Sequence, residues 1–184
     1  MVLQRRPLIL SKILAADPKN WWKERVGEFG VSLLLNAKTL HRETTKYQDI
    51  EILEHEQFGR ILVLDGYVQA CQADEFIYHE MAVHVPLLGC NHEKASVLIV
   101  GGGDGGILRE VLVHDFVESL TMVEIDRRVI ELSNKFLNIQ GDYHDPRVSL
   151  RIEDAATFVD AAIIDRKTFD LIILDLTEPV GPSA

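Results

Sequence analysis

The stretch Gly101-Gly102-Gly103-Asp104-Gly105-Gly106-Ile107 constrains the fold more than any other part of the chain. It follows the apolar run Val97-Leu98-Ile99-Val100 and precedes a helical pattern from Leu108 to His114. Strand, glycine turn and helix, in that order, open a site for a nucleotide-like ligand. Glycines let the backbone turn sharply and approach a ligand, and the helix start offers unpaired N–H groups. A dinucleotide would set its pyrophosphate on this turn, where Asp104 would repel it. A ligand with a cationic or hydroxyl-rich group tolerates the acid better. Gly101 and Gly103 are therefore candidate binding positions together with Asp104.

The pattern downstream repeats the same unit. Strand Ser96–Val100 leads to helix Gly106–His114, strand Ser119–Glu124 to helix Arg127–Leu137, and strand Val148–Ile152 to helix Ala155–Ile164. A last strand, Asp170–Asp175, follows. Alternating strands and helices predict a parallel sheet with right-handed crossovers and helices on both faces. Ligands of such sheets sit beyond the carboxyl ends of the strands. Each strand brings an acid there: Asp104, Glu124, Asp154, and Asp175 with Glu178. An acid placed as Glu124 is commonly takes ribose hydroxyls. Clustering them costs self-repulsion, so it points to a cationic or hydroxyl-rich ligand. Asp126 reads as a helix cap, and Asp154 as either a cap or a site residue.

Residues 1–93 read as a separate, β-rich domain with a connecting helix, and 94–184 as a Rossmann-like nucleoside-binding domain. Tyr47–Glu54 alternates polar and apolar residues, and Arg60–Leu64 and Tyr67–Ala70 flank Asp65-Gly66, a hairpin signal. A helix is expected from Asp74 to about Leu88. Met1–Leu14 reads as a short arm, and Trp21 and Trp22 as core or interface filler.

The net charge of −10 argues against nucleic acid and anionic membrane as partners. No apolar stretch nears the roughly 20 residues of a bilayer span. Two cysteines, Cys71 and Cys90, lack metal-site spacing, and a reduced, cytoplasmic location is expected. His79 and His84 miss the spacing that sets two ligands on one helix face, so no metal is expected.

These motifs together resemble the polyamine aminopropyltransferases, the spermidine synthase family. The resemblance is carried by Gly101–Gly106 with Leu108-Arg109-Glu110, by Val123-Glu124-Ile125-Asp126, and by Asp74-Glu75-Phe76-Ile77-Tyr78-His79-Glu80-Met81. Phe58-Gly59-Arg60, Leu64-Asp65-Gly66 and Val68-Gln69 add to it. It implies aminopropyl transfer from decarboxylated S-adenosylmethionine, a co-substrate, to putrescine or a similar amine, giving a longer polyamine and methylthioadenosine. It implies that Gln48, Glu124, Asp154, Ala155 and Pro182 hold the adenosine part. His79 and Asp104 would contact the aminopropyl chain or polyamine, Tyr78 would line the acceptor channel, and Asp175 would accept the proton. A homodimer or homotetramer is implied as well.

The chemistry asks for such groups. A sulfonium leaving group is already activated, but an alkylammonium with a pKa of roughly 10 must lose a proton before it attacks. Asp175 can take that proton while Tyr78 orients the nitrogen. Two departures stand out. The family's Asp-x-x-Asp-Pro reads Asp175-Leu176-Thr177-Glu178-Pro179 here, so the second carboxylate moves by about 1.5 Å, one carbon–carbon bond. The family also continues with further strand–helix units. The sheet is thus expected to be truncated after its fourth strand, with Asp170–Asp175, which reads as a central strand, covered by another chain or by more of a longer polypeptide. The alternatives are a non-catalytic nucleoside-binding or assembly subunit and a methyltransferase using intact S-adenosylmethionine.

Overall fold

The computed structural model describes residues 21–26, 31–89 and 93–177. The predicted arm at Met1–Leu14, Cys90, Glu178 and Pro182 lie outside these residues. Ten strands and four helices are described: β1 (Trp21–Val26), β2 (Val31–Asn36), β3 (Lys38–Thr44), β4 (Asp49–His55), β5 (Gly59–Leu64), β6 (Tyr67–Cys71), α1 (Glu75–Gly89), β7 (Ala95–Gly101), α2 (Gly106–Leu112), β8 (Val117–Glu124), α3 (Arg127–Phe136), β9 (Val148–Ile152), α4 (Ala155–Ile164) and β10 (Leu171–Asp175).

The first six strands form an antiparallel pair, β1-β2, and an antiparallel sheet in the order β3-β4-β5-β6. The β5–β6 hairpin closes through Asp65 and Gly66, at φ 51° and 82°. Two successive positive φ values make the tight turn whose twist matches the strands it joins. Leu53, Ile61 and Val63 pack on one face with Leu35, Ala37 and the half-buried Trp22. The opposite face buries Ile50, Ile52, Leu62 and Leu64 against Val129 and Leu132 of α3. One apolar core therefore crosses the boundary between the β-rich and the nucleoside-type halves of the sequence.

The second sheet is parallel, in the order β10-β7-β8-β9. Strand β7 is apolar on both faces because helices cover both, whereas β9 alternates apolar and polar residues. On one face Val97, Ile99, Leu120, Met122 and Ile173 meet Val83 and Leu87 of α1 and Ile107, Leu108 and Val111 of α2. On the other, Leu98, Val100 and Val123 meet Phe158 and Ala162 of α4. This is a Rossmann-like fold. Among the described residues β10 lies at the sheet edge, and Ile172 and Leu174 are exposed. None of the described helices is long and apolar enough to cross a membrane.

The strand order reverses between β7 and β10, because the chain runs from β7 outward to β9 and returns to the other side of β7. Such a switch point leaves a crevice at the strand ends. Here the two ends are locked together: Gly102 N–H donates to the Asp175 carbonyl at 3.0 Å. Gly101 has φ 82°, and a Cβ there would lie 2.0 Å from the same carbonyl oxygen. Only glycine meets both demands. Gly101→Ala should cost about 3 kcal/mol or more in a urea unfolding titration. A loss under about 1 kcal/mol would mean that the strand ends part easily.

Candidate active site

A cavity of about 290 Å³ opens at this switch point. Its floor is the β7 turn, Gly101 to Asp104, and β10 contributes Asp175. Glu124 enters from the end of β8, and Asp154 and Ala155 from the start of α4. Helix α1 supplies Tyr78 and His79, and the antiparallel sheet supplies Gln48, Leu62, Leu64 and Gln69. Thus Gly101, Gly103, Asp104, Glu124, Asp154, Ala155, Asp175, Tyr78, His79 and Gln48, all singled out from the sequence, line one cavity. Glu178 and Pro182 are outside the described residues.

Each acid is oriented by a neighbouring donor. Asp104 Oδ1 accepts from the N–H of Gly106, the first residue of α2, at 2.7 Å. Glu124 Oε1 accepts from Asp126 N–H at 2.8 Å. Asp154 Oδ1 caps α4 through Ala156 and Thr157 N–H at 2.7 and 3.2 Å. It is cap and cavity wall at once. Asp175 Oδ1 accepts from the Tyr78 hydroxyl at 2.8 Å.

Burial of the Glu124 carboxylate pushes its pKa up, as does the nearby Asp126 charge. Asp175 is likewise raised, first by burial and then by the charge of Asp104, while the Tyr78 hydrogen bond and His79 oppose the rise. Burial also raises the Tyr78 phenol, reinforced by Asp175. His79 is almost fully buried between two carboxylates, Nδ1 at 2.5 Å from Glu75 Oε2 and Nε2 at 3.4 Å from Asp104 Oδ2. Burial alone would lower its pKa, but Asp104 and then Glu75 outweigh it and raise the imidazole to about 9. One ligand atom each from His79, Asp104 and Asp175 lies within 4.8 Å of the others, a spacing that surrounds a small cation.

Residues 75–184 match the spermine/spermidine synthase domain, and residues 21–72 match the spermidine synthase tetramerisation domain. The chain belongs to the spermine/spermidine synthase family. It is similar to the polyamine aminopropyltransferases of Escherichia coli O1:K1 and Escherichia fergusonii, each 47% identical over 169 residues. Those matches cover 91% of this chain and 57% of each relative. The chain thus spans little more than half the length of the curated relatives it matches. A crystallised spermidine synthase in complex with the transition-state analogue AdoDATO superposes with a TM-score of 0.80 at 36% identity, over 91% of this chain and 57% of the other. The spermidine synthase of Thermotoga maritima superposes with a TM-score of 0.76 at 36% identity, over 88% and 56%.

Some of the cavity's support had no sign in the sequence. Asp126 caps α3 through Arg128 N–H at 3.0 Å, as expected. Its other oxygen accepts from Thr45 at 2.7 Å and from the Gln48 amide at 3.2 Å. A cap residue thereby fixes the sheet residue that walls the cavity. Leu62, Leu64 and Gln69 also line the cavity; the sequence placed them on the two strands of a hairpin, with Leu64 and Gln69 in motifs of the resemblance, but assigned none of them a site role. The Tyr78–Asp175 contact gives a direct check. Removing the hydroxyl with Tyr78→Phe removes the group that holds the Asp175 pKa down, so Asp175 should titrate at higher pH. Carbon-13 NMR of aspartate carboxyl groups reads this without turnover. An unchanged or lower Asp175 pKa would mean that the hydroxyl does not bond the carboxylate in solution.

Proposed function

We propose that this cavity carries out aminopropyl transfer in polyamine biosynthesis, from decarboxylated S-adenosylmethionine to putrescine, giving spermidine and methylthioadenosine. The observation that carries the reading is the convergence of Asp104, Asp175, Tyr78 and His79 beside Glu124 in one cavity of a spermidine synthase-type fold. In this reading Glu124 takes the ribose hydroxyls. Asp154, Ala155, Gln48 and Pro182 hold the rest of the adenosine, with Gly101 and Gly103 allowing close approach. Asp104 faces the primary ammonium of the aminopropyl chain. Glu178 lies after Asp175 in sequence and takes part in acceptor binding.

The reaction is an in-line displacement. The amine nitrogen forms a bond to the aminopropyl carbon as the carbon–sulfur bond breaks, and the sulfur leaves as a neutral thioether. The amine must be neutral to attack, and in water it holds its proton to a pH of roughly 10. Asp175 accepts that proton, and its raised pKa makes it a stronger base than a solvated carboxylate. Tyr78, bonded to Asp175, orients the nitrogen. No step asks for a redox cofactor or a metal.

The match of residues 21–72 to the tetramerisation domain supports a homo-oligomer, and a homotetramer in particular. Val31, Leu33 and Leu34 of β2 are exposed there, as an assembly surface requires. A cytoplasmic setting fits a reduced Cys71 and small, soluble substrates.

The test is mass spectrometry of products after incubation with decarboxylated S-adenosylmethionine and a mixture of putrescine, cadaverine, agmatine and spermidine. Methylthioadenosine with one elongated amine is the expected result and names the acceptor. Methyl transfer from intact S-adenosylmethionine, with none from the decarboxylated donor, would overturn the reading. Asp175→Asn should lower turnover at least about 100-fold, the scale of a lost general base, with methylthioadenosine affinity within a few-fold. Equal losses in turnover and donor affinity would remove Asp175 from the role of base.

A further inference from the structure

The His79 ring faces an acidic oxygen at each nitrogen: Glu75 Oε2 at Nδ1, 2.5 Å, and Asp104 Oδ2 at Nε2, 3.4 Å. Ionised carboxylates only accept hydrogen bonds, and a neutral imidazole has a single N–H. The Glu75 contact is a hydrogen bond and the Asp104 contact an ion pair, and the imidazolium, with an N–H on each nitrogen, suits both where a neutral ring suits only one. That charge stands where the proposed reaction needs to seat a cationic amine.

Glu75 is held in turn. The Arg109 guanidinium grips it with two parallel hydrogen bonds, Nη1 to Oε1 at 3.0 Å and Nη2 to Oε2 at 2.9 Å. Arg109 is anchored on its other sides by the Ile139 carbonyl at 2.7 Å and by Glu110 Oε1 at 2.7 Å. A forked pair of this kind fixes direction as well as charge. The ring packs directly on Gly106, where a Cβ would lie 2.2 Å from its Nδ1 and Cε1, so no larger residue fits beside it.

We infer that Glu75, clamped by Arg109, is a positioning residue that holds His79 as an imidazolium with its Nε2–H turned to Asp104, and that a cationic amine reaches Asp104 by displacing the His79 proton. The second half rests on the function proposed above; the first half does not. The charged and titratable groups around the ring are few. Glu75 and Tyr78 come from its own helix, the Tyr78 ring edge-on at 5.4 Å. Asp104 comes from the β7 turn, Arg109 and Glu110 from α2, and Asp175 from β10. Glu110 Oε2 lies 3.3 Å from His84, which contacts His114 at 2.9 Å, so the chain of contacts runs on to the surface. The carboxylates favour the charged ring; Arg109 and burial oppose it. The His79 pKa of about 9 agrees in direction. With the proton displaced on binding, a cation binds more tightly as pH rises towards 9, because less work goes into removing the proton.

NMR titration of the histidine Cε1–Hε1 signals tests this without turnover, with His79→Gln identifying the resonance. His79 should titrate near 9 in the unmodified chain. Glu75→Gln should lower that value by about one unit or more, a tenfold fall in proton affinity. Arg109→Lys keeps the charge but loses the fork, and should give a smaller fall. It also serves as the test if Glu75→Gln does not fold by circular dichroism. Saturating decarboxylated S-adenosylmethionine, whose aminopropyl ammonium is the cation proposed at Asp104, should lower the His79 value in the unmodified chain. The inference is overturned if His79 titrates near the ordinary 6.5, or is unmoved in both folded variants, or is unmoved by decarboxylated S-adenosylmethionine that calorimetry finds bound. If that donor does not bind while the variants shift His79 as described, the positioning pair is upheld and the donor proposed above is wrong.

Discussion

The hydrogen bond from Gly102 N–H to the Asp175 carbonyl governs the rest of the site. It joins the ends of β7 and β10, the two strands between which the sheet order reverses. Because Gly101 has no side chain, these ends approach to backbone contact, and the Asp175 and Asp104 side chains enter the same crevice. Helix α1 then packs on α2 and the sheet through Val83 and Leu87, bringing Tyr78 to Asp175 and His79 to Asp104. Moving the two strand ends apart would carry Asp175 away from the β7 turn and its neighbour Asp104.

A second constraint seats the antiparallel sheet. Apolar burial between β4, β5 and α3 supplies the bulk of that junction and has no direction of its own. Direction comes from polar links: Arg60 to the Phe136 carbonyl at 2.7 Å, Arg128 to Glu43 at 2.7 and 2.8 Å, and Thr45 and Gln48 to Asp126. The Glu43–Arg128 pair is partly exposed and adds little to stability. Its geometry, with Asp126, still sets where Gln48 meets the cavity.

Much of this was legible in the sequence because the parallel sheet is locally encoded. Val97–Val100, Gly101–Gly106 and the acids at strand ends carry strand, turn and helix signals within a few residues. The strands β1 to β3 were not resolved individually, since Val31–Leu35 is an apolar run without clean alternation and Lys38–Thr44 has little apolar pattern. The neighbour that covers β10 on its outer side was not legible. Apolar residues on both faces mark a strand that is covered, but not what covers it, and Ile172 and Leu174 are exposed among the described residues. Contacts such as Asp126–Gln48 and Glu75–Arg109 join residues far apart in sequence, and no periodicity points to a partner across such a distance.

The acids of the rim also dissolve the opposition between cap and ligand residue. Like charges this close repel, and a cluster of carboxylates persists only where each is locally stabilised. Asp104 is stabilised by Gly106 N–H, Glu124 by Asp126 N–H, Asp154 by Ala156 N–H and Asp175 by the Tyr78 hydroxyl. In each case the named donor is on one oxygen, so the carboxylate is fixed in direction before any ligand arrives. A local donor, in the case of Asp154 the helix N-terminus that it caps, is therefore a way to hold an acid ready at a strand end. Asp104 carries the argument furthest: it accepts from Gly106 N–H with one oxygen and faces His79 with the other. A cation entering the cavity meets carboxylates whose orientation was settled when the turns and helices formed, and this preorganisation is what binding and catalysis both draw on.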